Sequence, residues 1–258
     1  MPKTSLLTIA AAVALFFAVT NADAAQMKIL VSGAMAHAFE DVGADFAKRT
    51  GHTLDFTVDT TGALQNKLRS GEKADLIEVT AAGMDVLEKE KLVVPGTRVE
   101  VARGLIGVAV REGAAMPDIS TPEAFKQALM SARSVAYVDP KLGGQSGTYL
   151  AGLMQRLGIA DEMAKKTAFG KTGADAVQKV AGGEAELGIS FVSEILPVKG
   201  AKLLGALPAA IQNYTTYSAA IPVGSPNPEL ARALLQAMMS ADGHHAIREA
   251  GLEPVVPR

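Results

Sequence analysis

The feature that most constrains the fold of this chain is a repeated unit of an apolar strand, a turn rich in glycine and hydroxyl residues, and an amphipathic helix. In the first unit, a short apolar strand at residues 27–31 precedes a helix that places Met35, Phe39, Val42 and Phe46 on one face. Apolar residues at this helical spacing predict a buried helix face. Strands that alternate with helices through short turns predict parallel sheets covered by helices on both faces.

The same unit recurs along the rest of the chain. Further strands are predicted at residues 53–58, 74–79, 134–138 and 187–192. Further helices are predicted at residues 63–69, 84–92, 123–131, 146–157, 174–181, 228–239 and 243–250. The sequence therefore predicts an α/β protein.

Two long extended runs, residues 99–110 and 214–223, bracket a middle block large enough to form a lobe. We interpret them as crossover strands that join two lobes, each a mostly parallel sheet flanked by helices. The first lobe then comprises residues 26–103 and 218–258, and the second comprises residues 104–217. A single seven-stranded sheet is the alternative that the pattern leaves open.

The amino terminus has the features of a secretory signal peptide. Lys3 precedes an apolar run at residues 6–19, and the small–x–small pattern of a cleavage site follows at residues 22–24. The run is shorter than the roughly 20 residues that cross a bilayer, although a retained membrane anchor is the alternative reading. We therefore expect residues 1–25 to be removed on export to the periplasm.

Composition excludes several classes of function. The chain has no cysteine, which excludes disulfides, thiolate metal sites and cysteine nucleophiles. Its net charge of −2 provides no basic excess for nucleic acid or for a membrane surface. We predict that the protein needs no metal and no cofactor, and we expect a monomer because that is the default for the predicted fold.

The turns that follow the strands are the predicted ligand site, because open α/β sheets bind ligands at the carboxyl ends of their strands. The unpaired N–H groups and the dipole of a helix start attract anions, so the predicted ligand is a small anion. Serine and threonine also cap helices where no ligand binds, and each turn taken alone allows that reading. The predicted ligand-binding residues are Ser32, Gly33, Ala34, Thr60, Thr61, Gly62, Ser146, Gly147, Thr148, Phe191 and Ser193.

One segment has part of a nucleotide-binding motif but not all of it. Gly170-Lys171-Thr172 resembles the end of a phosphate-binding loop, but Lys165 stands where that loop requires glycine. His37 lies in the first turns of the helix after the first strand, near the predicted cleft, where a surface histidine is the alternative reading.

From residue 27 to the carboxyl terminus the chain resembles type II periplasmic solute-binding proteins, in particular the molybdate-binding proteins of bacterial ABC importers. The resemblance lies in residues 29–46, in Ser70-Gly71-Glu72-Lys73-Ala74-Asp75-Leu76 and in Ala185-Glu186-Leu187-Gly188-Ile189. It implies two α/β lobes that close on a ligand like a hinge. It also implies that Ala34 and Phe191 occupy positions where molybdate binders carry a serine and a tyrosine.

Other segments are similar to a branch of this family that includes aconitate isomerase. These are residues 106–113, 117–120, 125–129 and 134–137, together with Ser146-Gly147-Thr148-Tyr149-Leu150 and Ser193-Glu194.

Two functions follow from the resemblance, of which the sequence favours the first and leaves the second as the alternative. One is capture of a small anion, either an oxyanion or a di- or tricarboxylate, for delivery to an inner-membrane ABC permease. The other is proton transfer that interconverts cis- and trans-aconitate, which requires a base and an acid at the cleft. His37 and Asp59 are the predicted catalytic residues for the second function. The wider set of candidates is His37, Asp59, Glu78, Asp139, Tyr149 and Glu194.

Overall fold

The computed structural model describes residues 24–256. The predicted signal peptide, residues 1–25, lies outside the described residues except for its last two positions. Among the described helices, none is both long enough and apolar enough to cross a membrane.

The order of strands and helices follows the repeated unit of the sequence. The strands are β1 Gln26–Ser32, β2 Thr53–Asp59, β3 Leu76–Thr80, β4 Val99–Gly104, β5 Ile106–Arg111, β6 Val135–Val138, β7 Thr167–Gly170, β8 Leu187–Phe191, β9 Ala201–Ala206, β10 Thr215–Ala220 and β11 Glu253–Pro254. The helices are α1 Gly33–Thr50, α2 Thr61–Arg69, α3 Ala81–Lys89, α4 Pro122–Ser131, α5 Gln145–Arg156, α6 Ala160–Ala164, α7 Gly173–Ala181, α8 Val192–Ile195, α9 Pro228–Met238 and α10 Ala241–Glu249.

The strands form two sheets, which confirms the two-lobed α/β fold. The order of the first sheet is β11-β4-β10-β3-β1-β2, and that of the second is β7-β6-β8-β5-β9. Strand β1 pairs in parallel with β2 and β3, and β6 pairs in parallel with β7 and β8. Both sheets are mixed, because β10 and β5 run antiparallel to their neighbours.

The chain crosses between the sheets at two places. The extended run at residues 99–110 is divided at Leu105, where β4 ends in the first sheet and β5 begins in the second. The chain returns between β9 and β10, so that β10 joins the first sheet. The alternative of a single seven-stranded sheet is therefore wrong. The residue bounds of the two lobes remain a prediction.

Helices cover both faces of each sheet. In the first lobe, Ile29 and Val31 pack against α1, α9 and α10, whereas Leu30 and Ile77 pack against α2 and α3. In the second lobe, α4, α5 and α6 lie on one face and α7 and α8 on the other. The alternating side chains of each strand therefore serve two separate cores.

A buried carboxylate joins the two ends of the first lobe. Asp75 is 2% exposed and accepts hydrogen bonds from the amides of Lys28 at 2.9 Å and Asn227 at 2.7 Å. The hydroxyl of Ser225 donates to the same carboxylate at 3.1 Å. These contacts fix the carboxyl-terminal segment, which begins α9, against the strand that opens the fold.

Candidate functional site

The carboxyl ends of strands from both sheets lie at a cleft between the two lobes. It is lined by Ser32, Gly33, Ala34, Asp59, Thr60, Thr61, Thr80, Val138, Gly144, Gln145, Ser146, Thr172, Gly173, Phe191, Glu194 and Tyr217. The lining includes N-cap or first-turn residues of α1, α2, α3, α5, α7 and α8, so six helix N-termini approach one space. None of these lining residues is Lys, Arg or His, so an anion here would be bound by N–H and O–H groups.

Capping separates the helix starts into two groups. The hydroxyls of Thr60, Thr80 and Thr172 accept hydrogen bonds from amides three residues ahead and therefore act as ordinary caps. Ser32 and Gly144, which precede α1 and α5, form no side-chain cap. The N-termini of α1 and α5 therefore keep backbone donors available at the cleft.

Ser32 binds a buried glutamate instead of capping α1. Its amide donates to Glu78 Oε2 at 2.8 Å and its hydroxyl donates to the same oxygen at 2.7 Å. Glu78 is fully buried, and its other oxygen, Oε1, has no hydrogen-bond partner among the described residues. Burial raises the pKa of Glu78 to about 8, against the opposing effect of the two Ser32 hydrogen bonds. A carboxyl with this pKa is mostly protonated at neutral pH.

A second buried glutamate approaches from the other lobe. Glu194 Oε2 accepts a hydrogen bond from the Ser190 hydroxyl at 2.6 Å. Burial raises the pKa of Glu194, although hydrogen bonds from Ser190 and from the amides of Gly173 and Phe191 oppose the change. Glu194 also lines the cleft, so a carboxyl with a raised pKa faces the predicted ligand space.

The carboxyl of Glu194 lies between two glycines that each begin a helix. A Cβ atom added to Gly33 of α1 would overlap Glu194 Oε1, and one added to Gly173 of α7 would overlap Oε2. A side chain at either position would therefore have to displace the Glu194 carboxylate, and at Gly173 it would also have to displace the Ser190 hydroxyl. Because Gly33 belongs to the first lobe, Glu194 is also a contact between the lobes.

A tyrosine hydroxyl completes the buried polar group. Tyr217 is 1% exposed, lines the cleft, and packs edge to face on Phe191 with ring centroids 5.7 Å apart. Its hydroxyl has no hydrogen-bond partner among the described residues. Burial raises the pKa of Tyr217, and the charges of Glu194 and Glu78 raise it further. The three ionisable groups therefore lie close enough to interact.

The lobes touch across the cleft. The Thr60 hydroxyl donates to the Leu142 carbonyl at 2.7 Å, and the Gly62 and Gly143 backbones are in near contact. The remaining cavity is about 30 Å³, enough for only a few water molecules. A solute larger than this cavity therefore requires the lobes to separate.

Many of the predicted site residues are brought together and some are not. Ser32, Gly33, Ala34, Asp59, Thr60, Thr61, Ser146 and Phe191 line the cleft, whereas Gly62, Gly147, Thr148, Ser193 and His37 are not among its lining residues. Gly147 packs against the Val138 carbonyl, and Thr148 faces solvent. His37 is about half exposed and lies 3.8 Å from Asp41 on the next turn of α1.

The other acid–base candidates have different structural positions. Asp59 accepts a hydrogen bond from the Thr60 amide at 2.8 Å at the edge of the cleft. Asp139 caps a 3₁₀ turn, and the Tyr149 hydroxyl donates to the Ile211 carbonyl at 2.7 Å. Among the six candidates, Glu78 and Glu194 are the two fully buried carboxyls, and burial raises the pKa of both. In the part of the chain that is described, no group of three or more His, Asp or Glu could hold a metal ion.

Sequence reasoning missed Thr80, Thr172, Gly173 and Tyr217. Thr172 and Gly173 follow β7, a strand of four residues that the pattern did not indicate. Thr80 ends an apolar strand, as the predicted site residues do, so the same rule would have found it. Tyr217 lies within a crossover strand, where residue type alone does not separate a core tyrosine from a site tyrosine.

Comparisons with known proteins agree with this architecture. Residues 27–253 match the family of bacterial extracellular solute-binding proteins. The chain therefore belongs to that family. The periplasmic molybdate-binding protein of Azotobacter vinelandii superposes with a TM-score of 0.76 at 20% identity, covering 90% of this chain and 100% of that protein.

Two curated relatives differ in their similarity to this chain. Aconitate isomerase from a Pseudomonas species is 37% identical over 236 residues, which covers 89% of this chain and 88% of that protein. The molybdate-binding protein ModA of Escherichia coli is 24% identical over 226 residues, which covers 86% of this chain and 88% of that protein.

We expect Gly33→Ala to hinder closure of the lobes without unfolding the protein. The added methyl group would clash with Glu194 Oε1 across the cleft, whereas alanine within a helix changes the free energy of unfolding by about 1 kcal/mol or less. Small-angle scattering should show a larger radius of gyration than for the wild type, at a similar unfolding midpoint.

Gly152→Ala is the matched control, because its added methyl group would approach no atom closer than 3.4 Å, at the Arg156 guanidinium. If Gly33→Ala and the wild type gave the same scattering curve, Glu194 would not limit closure.

Proposed function

We propose that this protein is an isomerase that moves a proton within a small unsaturated polycarboxylate, as in the interconversion of cis- and trans-aconitate. The observation that carries the proposal is Glu194, a buried carboxyl with a raised pKa that lines the interlobe cleft. A carboxylate with a raised pKa is a stronger base than an ordinary glutamate and is matched to proton transfer near neutral pH.

The rest of the cleft suits the charges of such a substrate. Abstraction of a proton beside the double bond moves negative charge onto a carboxylate of the substrate. The uncapped N-termini of α1 and α5 offer backbone N–H groups that would stabilise this charge in a site that excludes water. The similarity to aconitate isomerase over most of both chains favours a substrate of this class.

A second candidate is a binding protein that delivers a small anion to an inner-membrane ABC permease. The family and the molybdate-binding relatives favour it. The positions of Ala34 and Phe191 argue for a ligand other than molybdate, since each lost hydroxyl donor costs about 1–3 kcal/mol in a dry site. Both candidates place the protein in the periplasm after removal of residues 1–25.

The test is an assay of the purified protein with trans-aconitate. We expect cis-aconitate to accumulate with a turnover number on the order of 10 s⁻¹. Its formation is measured by proton NMR. Thermal shifts with molybdate, sulfate, citrate and trans-aconitate form the parallel measurement. No turnover, together with a large upward shift for one of these anions, would replace the isomerase with the binding protein.

A further inference from the structure

The two buried glutamates contact consecutive residues of the chain from different directions. Glu78, on β3 of the first sheet, accepts the two hydrogen bonds from Ser32, and Glu194, from the second lobe, packs against Gly33. Glu194 is part of the cleft lining, whereas Glu78 is not and lies behind Ser32. One carboxyl therefore faces the ligand space directly, and the other reaches it through the Ser32 hydroxyl.

The hydrogen bonds between Ser32 and Glu78 neither cap a helix nor belong to an ion pair. Ser32 precedes α1 but forms no side-chain cap, so its hydroxyl is committed to Glu78. Glu78 has no ion-pair partner among the described residues, and its Oε1 is buried without a hydrogen bond. An unpaired buried polar atom costs about 1–3 kcal/mol, and replacement by an apolar residue would remove that cost. A chemical role for Glu78 explains why this strand carries a glutamate.

We propose that Ser32 and Glu78 deliver the second proton of the isomerisation, with the Ser32 hydroxyl touching the substrate and Glu78 positioned behind it to hold and resupply the proton. This inference rests on the proposed function and assigns the acid that the reaction needs besides Glu194. The raised pKa of Glu78 agrees with it, because the carboxyl keeps its proton at neutral pH. A hydroxyl both donates and accepts, so a 2.7 Å contact can pass a proton in either direction.

The proton balance of one turnover is complete. Glu194 takes a proton from the methylene carbon of the substrate, and the electron pair of that C–H bond shifts the double bond along the allylic system. In the substrate complex the hydrogen bond between Ser32 and Glu78 reverses, so that the proton on Glu78 Oε2 is donated to Ser32 Oγ and the Ser32 hydroxyl hydrogen turns to the substrate. Ser32 then gives this hydrogen to the far carbon as a proton and receives the proton of Glu78 at the same time. Glu194 ends protonated and Glu78 ionised. When the lobes open, Glu194 releases a proton to water, and Glu78 recovers one from water through Ser32.

The experiment follows the fate of hydrogen in heavy water. Purified wild-type protein, Glu78→Gln and Ser32→Ala are each given trans-aconitate in D₂O, and the deuterium content of the first cis-aconitate formed is measured by NMR. We expect wild-type product to carry solvent deuterium at the newly protonated carbon. We expect both variants to isomerise about 100-fold more slowly or worse. Their residual product should contain less deuterium, because Glu194 alone then returns the hydrogen it removed.

Structural damage alone would lower the rate and leave the deuterium content of the product unchanged. If Glu78→Gln folds poorly, Ser32→Ala still tests the relay, because it keeps the buried carboxyl of Glu78. Glu100→Gln is the control for a glutamate substitution, because Glu100 is an exposed strand residue. Wild-type product without deuterium, or variants that match the wild type in rate or in deuterium content, would overturn the relay alone. No isomerisation by the wild type would overturn the proposed function and the relay with it.

Discussion

Glu194→Gln is expected to lower the turnover of trans-aconitate by about 10³-fold, because it removes the proposed base and keeps its shape. The amide oxygen of glutamine can still accept the hydrogen bond from Ser190, and the side chain still fits between Gly33 and Gly173. A neutral amide avoids the cost of burying a charge, but its NH₂ group replaces an oxygen that can accept a backbone hydrogen bond from Gly173 or Phe191. The turnover of the variant is therefore compared with that of the wild type after circular dichroism has shown that both are folded.

Glu249→Gln provides the comparison, since Glu249 is an exposed residue of α10 that is not among the cleft-lining residues. It should keep wild-type turnover. Affinity for trans-aconitate, measured by calorimetry, should change much less than turnover in Glu194→Gln, because the helix N-termini remain in place. A Glu194→Gln protein that retains a tenth or more of the wild-type turnover number would rule out Glu194 as the base.

Much of the fold was predictable because it depends on local patterns. The face of α1 formed by Met35, Phe39, Val42 and Phe46 is buried as its spacing indicates. The crossover strands were recognisable as long extended runs, but the division at Leu105 was not, because neither side of the break differs in composition. β7 and β9 were missed because they are short or partly exposed edge strands whose residues lack strict alternation.

The site was predictable in location but not in chemistry. The rule that ligands bind beside strand ends led to Ser32, Thr60, Thr61 and Ser146, which share the cleft. It did not indicate that Ser32 would donate a hydrogen bond to Glu78, because these residues are 46 positions apart in the chain. A glutamate within an apolar strand was the available signal, since a charge at such a position needs a reason.

The buried carboxyl of Glu78 should make the stability of the protein depend on pH. Its pKa rises from an ordinary 4.5 to about 8 in the folded state. Between these values the folded protein holds a proton that the unfolded chain has released. The free energy of unfolding therefore falls as pH rises through this interval and levels off above about pH 8. At about 1.4 kcal/mol for each pKa unit, the whole contribution lost is on the order of 5 kcal/mol.

Glu78→Gln cannot titrate, so its free energy of unfolding relative to that of the wild type should rise by about 4 kcal/mol between pH 4.5 and pH 8.5. The change with pH is the informative quantity, because the glutamine amide has its own hydrogen-bonding needs at every pH. Glu194 and Tyr217, the neighbouring ionisable groups, are present in both proteins and largely cancel from the difference. Urea unfolding of both proteins across this range measures the effect, and Glu100→Gln should follow the wild-type curve. Parallel curves for the wild type and Glu78→Gln would show that Glu78 is ionised in the folded protein, in which case it holds no proton to deliver.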